Sequence, residues 1–187
     1  MIITEFLPAQ DYSQFGDWLK TQDEETRQLY FGVAGSQHVI RALMERVIAN
    51  PDDHKFLVAK QGERWIGTIH IATKGQEVEF GVIVALHYRK QGIANALMDE
   101  AITWARNRYY KDLFMHCISW NRPIKHLCQK HGLVPRNMMG DSEANLKLTP
   151  PTPATFFKEQ LFVQRNWLAM FQFLPVSRFF LTGLGVK

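Results

Sequence analysis

Apolar and polar positions along the chain change period several times, and each change marks an element. Ile2 to Leu7 reads as a first strand. Asp11 then opens a helix through Leu19, because an Asp side chain can accept the orphan N–H groups of a first turn. Val39, Leu43 and Val47 recur at helical spacing, predicting a second helix from about His38 to Ile48 with Ser36 as its cap. After the turn Asn50-Pro51-Asp52-Asp53, two strands are expected, His54 to Ala59 and Trp65 to Ala72, joined by Gln61-Gly62-Glu63. A loop from Thr73 to Gln76 precedes a buried strand, Val78 to Ala85. Ile93, Leu97, Ala101 and Trp104 then mark the longest helix, Gln91 to Arg108. Asp112 to Trp120 is the next strand. Asn121 caps a short helix through Lys130, with Pro123 in its first turn and Gly132 able to end it in the left-handed conformation. Leu133 to Met139 and Ala144 to Leu148 complete the strands, joined at Gly140-Asp141.

Pro150, Pro151 and Pro153 break this pattern, so residues 1–149 are expected as one domain and 150–187 as a Pro-rich hinge with a helical extension from Ala154 to Phe173. Phe157, Leu161, Leu168 and Phe171 share one face of that helix; Phe156, Phe162, Trp167 and Met170 widen it. Lys158, Glu159, Gln164 and Arg165 interrupt it as a membrane span. The expected role is packing on the domain's own sheet. A homodimer contact is the next alternative, and a membrane-surface helix the last.

Composition narrows the class without changing that picture. Hydrophobic residues make up 46% of 187 and charged ones 21%, as in an ordinary globular chain. A net charge of +4 is too small to argue for nucleic acid. Cys117 and Cys128 have no metal-ligand spacing and form no disulfide framework, and they fit a reducing cytoplasm. The N-terminus carries acids where a signal peptide would carry basic residues, and no metal site is expected.

The stretch YRKQGIANAL, Tyr88 to Leu97, sets basic residues and a glycine between a buried strand and a helix. Basic side chains are unfavourable at the positive end of a helix dipole unless an anion joins them. Backbone N–H groups from Gln91 to Asn95 would gather around such an anion. Arg89 would add charge-assisted bonds, and Gly92 and Ala94 would keep the approach clear. The alternative is a basic helix start with a turn glycine.

Taken together, the order of elements over residues 2–148, Arg89-x-x-Gly92-x-Ala94 after a strand, and Asn121 with a short helix ending at His131-Gly132-Leu133 resemble the GNAT superfamily of acetyl-CoA-dependent N-acetyltransferases. The strand Val78 to Val84 and the segment Glu24-Glu25-Thr26-Arg27-x-x-Tyr30-Phe31 are similar to bacterial domains of the protein-lysine acetyltransferase type. The resemblance implies an α/β (α+β) fold with a mixed, mostly antiparallel sheet flanked by helices. It implies acetyl-CoA as cosubstrate, lying on residues Val82, Ile83, Val84, Arg89, Lys90, Gln91, Gly92, Ile93, Ala94, Asn95 and Asn121. Lys90 either reaches the 3′-phosphate or sits in solvent; Asn121 either bonds pantetheine amides or serves only as the cap. A backbone amide between Phe80 and Val84 would face the developing oxyanion, and Gly81 would mark a bulge splaying this strand from the next.

A lysine-type amine has a pKa of ~10.4, so a general base is needed. Glu79 is the candidate, being costly to bury in VEFGVIVA without a partner; its alternative is the exposed end of the strand. The family's usual Tyr acid in the Asn-helix falls here on Cys128, either a thiol acid or a small buried hydrophobe. His116 is a further residue that could reach the cleft. The acceptor is expected to be an amine, from a protein lysine or a small molecule. The rival reading is a degenerate acyl-CoA-binding module.

Overall fold

The computed structural model describes residues 2–32, 37–118, 121–138 and 141–171. A seven-stranded sheet forms its centre, in the order β1-β2-β3-β4-β5-β7-β6. The strands are β1 (Ile2–Phe6), β2 (His54–Gln61), β3 (Arg64–Lys74), β4 (Glu77–Val84), β5 (Asp112–Ile118), β6 (Val134–Met138) and β7 (Asp141–Lys147). The helices are α1 (Ser13–Lys20), α2 (Glu24–Phe31), α3 (Gln37–Ala49), α4 (Ile93–Asn107), α5 (Arg122–Lys130) and α6 (Pro153–Phe171). Neighbouring strands run antiparallel except β4 and β5.

Alternation along the strands divides the core in two. Leu57, Ile69, Ile71 and Phe80 pack under Leu97, Met98, Ala101 and Trp104 of α4. Phe56, Val58 and Ile83 point the other way, against Phe15 and Leu19 of α1 and Ile40 and Val47 of α3. The apolar stripe expected for α4 is therefore its buried face.

The β4–β5 pairing is short: Glu77, Val78 and Glu79 match Asp112, Leu113 and Phe114, and there it stops. β4 continues to Val84 against β3 while β5 continues to Ile118 against β7, so the two strands part like a V. The bulge expected at Gly81 is absent, because the β3–β4 register runs unbroken from Gly67↔Val84 to Lys74↔Glu77.

Three further expectations change. Asp11 does not cap α1; it ends a 3-10 turn, Ala9–Asp11, and the helix starts at Ser13 with Tyr12 as N-cap and no side-chain cap bond. A helix the periodicity did not announce, α2, follows. Its apolar residues Leu29, Tyr30 and Phe31 are adjacent rather than spaced, and it is fixed by Asp23, whose carboxylate accepts from Thr26 N–H at 2.9 Å. The third change is in α6. It does pack on the domain, against α4 and β1, but through its polar side. Asn107 donates to Thr155 C=O (3.1 Å) and to Glu159; Arg108 pairs with Glu159 (2.9 Å), Lys158 with Asp99 (2.6 Å) and Arg165 with Glu100 (3.7 Å). Phe157 and Leu161, expected inside, are 65% and 47% exposed. Three of the four polar residues expected to interrupt a span, Lys158, Glu159 and Arg165, form the seam. Ser36, Trp120, Met139, Gly140 and the end of the tail helix at Phe173 lie outside the described residues, as do the side chains of Cys117, Trp167, Leu168, Met170 and Phe171.

Candidate functional site

Where β4 and β5 part, two cavities meet. The outer one, about 400 Å³, is a groove from Ile83 and Val84 over Arg89, Lys90, Gly92, Ile93, Ala94 and Asn95 to Asn121 and α5. The inner one, about 420 Å³, lies on the α2–α3 side and holds Glu79, Tyr30, Arg46, His70 and His116. Leu29, Tyr30, Val82, Asn121 and Ile124 line both.

The groove is built mainly from backbone. Ala85 N–H donates to Ile66 C=O of β3 at 3.0 Å. Strand alternation then sends the N–H groups of Val84, Val82 and Phe80 the other way, to the edge that β5 has left. Arg89 Nε reaching Val84 C=O from that edge at 3.4 Å agrees with this assignment. The edge leads directly to the start of α4. There Lys90 (φ 60°) and Gly92 (φ 81°) both take left-handed backbone, which a lysine tolerates poorly and a glycine readily. A Cβ on Gly92 would meet no protein atom within 4 Å, so within the protein it is the positive φ that calls for glycine.

The first bond of the helix is Ala96 N–H to Gly92 C=O, 3.0 Å. The N–H groups of Ile93, Ala94 and Asn95 are therefore left without helical partners. Gly92 supplies no side-chain cap, and no acid stands in the first turn. Asn95 Oδ1 is buried with no hydrogen-bond partner among the described residues. Such a helix start fits an anion, and the free edge beside it fits an extended amide chain. A pyrophosphate with a pantetheine arm has that form, so the residues present fit coenzyme A.

The expected groove residues come together, with qualifications. Arg89 lines the groove, but its guanidinium is held by α2, donating to Thr26 Oγ1 at 2.5 Å and lying 3.5 Å from Glu25. The Gln91 side chain is exposed, bonding His87 C=O at 3.2 Å, so Gln91 can contribute through its backbone. Ile93 is buried beneath the turn. Asn121 combines both expected roles: Oδ1 accepts from Ile124 N–H at 3.2 Å as the cap of α5, Nδ2 donates to Leu29 C=O at 3.4 Å, and the residue walls both cavities.

Glu79 is not buried. Its side chain is 53% exposed at the mouth of the inner cavity, with Oε1 3.7 Å from His116 Nε2. His116 thus reaches the cleft. Cys128 does not: it is fully buried on the core side of α5, with Sγ 3.8 Å from Met115 Sδ, and lines neither cavity. That is the small-hydrophobe reading of this position.

Sequence reading passed over Tyr30, Arg46 and His70. His70 is buried, stacks on Phe56 and shares a 3.0 Å hydrogen bond with His54 Nδ1. Burial, with the charges of His54 and Arg46, lowers its pKa to about 3, so it is a neutral wall. For Tyr30 a signal was available: Gly81 inside an apolar strand marks close approach by another group.

The comparisons agree with this geometry. A family model described as "Acetyltransferase (GNAT) family" matches residues 15–133. Among solved structures, the GNAT domain of S. lividans PAT aligns at 16% identity, covering 78% of this chain and 89% of that one, TM-score 0.64. The paia N-acetyltransferase from Thermoplasma acidophilum, in complex with coenzyme A, aligns at 17%, covering 79% and 99%, TM-score 0.62. Spermidine N-acetyltransferase from Vibrio cholerae, in complex with CoA and spermine, aligns at 14%, covering 79% and 95%, TM-score 0.61. No curated protein sequence matches. No helix among the described residues is long and apolar enough to cross a membrane. With the model spanning more than half of its length, the chain belongs to the GNAT family of acetyltransferases.

Proposed function

We propose that this chain transfers an acetyl group from acetyl-CoA to a primary amine by direct attack on the thioester. One observation carries the reading: the unpaired edge of β4 leads straight onto the unpartnered N–H groups of α4, with Arg89 and Lys90 beside them. Bound acetyl-CoA supplies an acetyl carbon already activated for attack. The chain's residues do the rest. The N–H groups of Ile93, Ala94 and Asn95 hold phosphate, and Val84 and Val82 pair with the pantetheine arm. The Val82 N–H, innermost of the two, stabilises charge on the acyl oxygen. Glu79 takes the proton that a lysine-type amine carries at neutral pH, directly or through water.

The preferred acceptor is a protein lysine, supported by the likeness of Glu24 to Phe31 and of β4 to lysine-acetylating domains, with a cytoplasmic setting. The second reading is a small-molecule amine, favoured by an inner cavity of about 420 Å³, large enough to enclose one. A module that binds acyl-CoA without transfer gains weight from the buried Cys128 and loses it from Glu79 at the cavity mouth. A homodimer through the outward face of α6 is carried with the proposal.

Calorimetric titration with acetyl-CoA, free CoA and ATP tests the groove. Micromolar binding of both CoA species, about −8 kcal/mol, with little response to ATP, supports the reading; no binding removes it. Release of CoA in the presence of lysine peptides, spermine and simple amines then separates transfer from binding alone.

A further inference from the structure

Tyr30 places a hydroxyl where the two cavities join. Among the residues that line both, Tyr30 and Asn121 alone carry polar side-chain atoms. Asn121 is engaged at both ends, by Ile124 N–H and by Leu29 C=O. The Tyr30 hydroxyl has no hydrogen-bond partner among the described residues. It is therefore a donor held at the junction with no acceptor for its proton among the described residues.

Its seat is made by an absent side chain. Gly81 shares a strand face with Glu79, toward α2 and α3. A Cβ built on Gly81 would lie 2.7 Å from the Tyr30 oxygen, closer than carbon and oxygen approach without bonding. The φ of Gly81 is not positive, so its conformation alone does not require glycine. The strand next reaches Val82, whose N–H faces the free edge. The phenol on the strand face at Gly81 and the N–H at the free edge of Val82 thus stand at adjacent strand positions where the two cavities meet, with Glu79 on the inner side.

We propose that Tyr30 is a catalytic residue, the donor that hydrogen-bonds to the sulfur of the bound thioester and stabilises the thiolate as the acyl–sulfur bond breaks. This rests on the acetyl-CoA reading of the groove. Glu79, once it has passed the ammonium proton to water, takes the second proton from the acceptor nitrogen as that nitrogen bonds the acyl carbon. The carbon–sulfur electron pair leaves with sulfur, and the Tyr30 O–H donates a hydrogen bond to the thiolate, which takes its proton from water. Two protons leave the ammonium and one arrives on sulfur, with no change of oxidation state. Burial, then the Glu79 carboxylate, pushes the Tyr30 phenol up from its ordinary value, while Arg46 opposes this, so the proton is in place at neutral pH. The groups facing it are Glu79 from β4, Arg46 from α3, His70 from β3 and His116 from β5, with Arg89 and Lys90 farther along the groove.

The test needs no acceptor. A hydroxyl donating to sulfur favours thiolate over thiol, so it lowers the pKa of the CoA thiol on binding and makes CoA affinity rise with pH. Acetyl-CoA has no ionisable sulfur and corrects for every other titrating group. We expect the ratio of the acetyl-CoA Kd to the CoA Kd to rise about tenfold between about pH 6.5 and about pH 9.5, the equivalent of one unit of thiol pKa. In Tyr30→Phe the ratio stays flat while acetyl-CoA still binds at pH 7. Gly81→Ala, which keeps the hydroxyl but displaces it, also flattens the ratio, and decides the matter should Tyr30→Phe fail to fold. A flat ratio in the native chain, or a rise that survives in Tyr30→Phe or Gly81→Ala, overturns the proposal. Failure of both ligands to bind overturns the groove reading instead.

Discussion

Along the groove beside α4, most of the groups aimed at the cleft belong to the main chain: the free edge of β4 at Val82 and Val84, and the first N–H groups of α4. In the inner cavity they belong to side chains from five elements: Tyr30 of α2, Arg46 of α3, His70 of β3, Glu79 of β4 and His116 of β5. A site made of backbone depends on conformation and clearance, which many sequences satisfy. A site made of side chains depends on the identity of each residue. On the proposed reading, the first holds the part of the reaction that is the same for any acceptor, and the second faces the part that varies.

The sharpest break between the two is expected at Glu79. Glu79→Gln should lower turnover on a working acceptor by roughly 10²- to 10⁴-fold at neutral pH and leave the acetyl-CoA Kd unchanged, since the carboxylate lies in the inner cavity and not in the groove. Full activity in this variant would remove Glu79 as the base. The converse change is Ala94→Asp. An acid in the first turn of α4 complements the helix dipole, which adds about 0.3–1 kcal/mol to stability. Facing a bound phosphate at an effective dielectric near 20 it costs up to about 4 kcal/mol. Acetyl-CoA binding should therefore weaken by on the order of a hundredfold or more while the melting temperature holds or rises. Both quantities come from thermal melts with and without acetyl-CoA. A stable variant that binds normally would mean that no anion sits there.

Arg89 links the two regions, and its effect should be smaller. Arg89→Ala removes a charge-assisted partner worth about 1.5–3 kcal/mol, hence roughly ten- to a hundredfold in acetyl-CoA affinity. It also removes one bond to Thr26, which keeps its bonds to Asp23 at the start of α2. Calorimetry reads the first effect. An unchanged Kd would leave Arg89 as a brace for α2 and nothing more.

The same contrast explains what the sequence could tell. Arg89-x-x-Gly92-x-Ala94, the stripe of α4 and Asn121 before α5 are contiguous, because a backbone site leaves local marks: a left-handed glycine, small residues, a cap. The turn glycine at Gly92 is read from the clearance an anion needs, and its φ of 81° adds a second reason that sequence alone does not display. The inner cavity leaves fewer such marks, Gly81 beneath Tyr30 and the polar Glu79 and His116 in their strands. Tyr30, Arg46, His70, Glu79 and His116 are scattered over most of the domain and meet only through the order of the sheet. α2 stayed hidden because EETRQLYF has no apolar period; its cap Asp23, acidic first turn and terminal Gly32 were legible but not weighed. The tail misled for the opposite reason. Its apolar face was plain, yet the domain offered it Asp99, Glu100, Asn107 and Arg108, and the polar face docked.

The smallest effect separates the two regions by pH. His70 forms the back of the inner cavity, and its pKa is lowered to about 3 by burial, His54 and Arg46, against about 6.5 in the unfolded chain. His54, its hydrogen-bond partner, is lowered too, chiefly by burial. Between those values the unfolded chain binds a proton that the folded chain refuses. The stability that His70 contributes is therefore complete above about pH 6.5 and is lost as pH falls toward 3. From pH 7 to pH 5.5 this one imidazole should cost roughly 1 kcal/mol of folding stability. The α4 end of the groove has no counterpart, because the groups proposed to hold phosphate there are main-chain amides. Denaturant melts at the two pH values check the size of the loss, and His70→Asn, which cannot titrate, should be less stable at pH 7 but lose less on acidification. Hydrogen exchange locates it: at pH 5.5 the amides of β2 and β3 around His54 and His70 should exchange faster relative to pH 7, after correction for intrinsic rates, while those of α4 hold. Equal loosening of both regions would mean that the histidine pair acts on the whole fold rather than on the acceptor side.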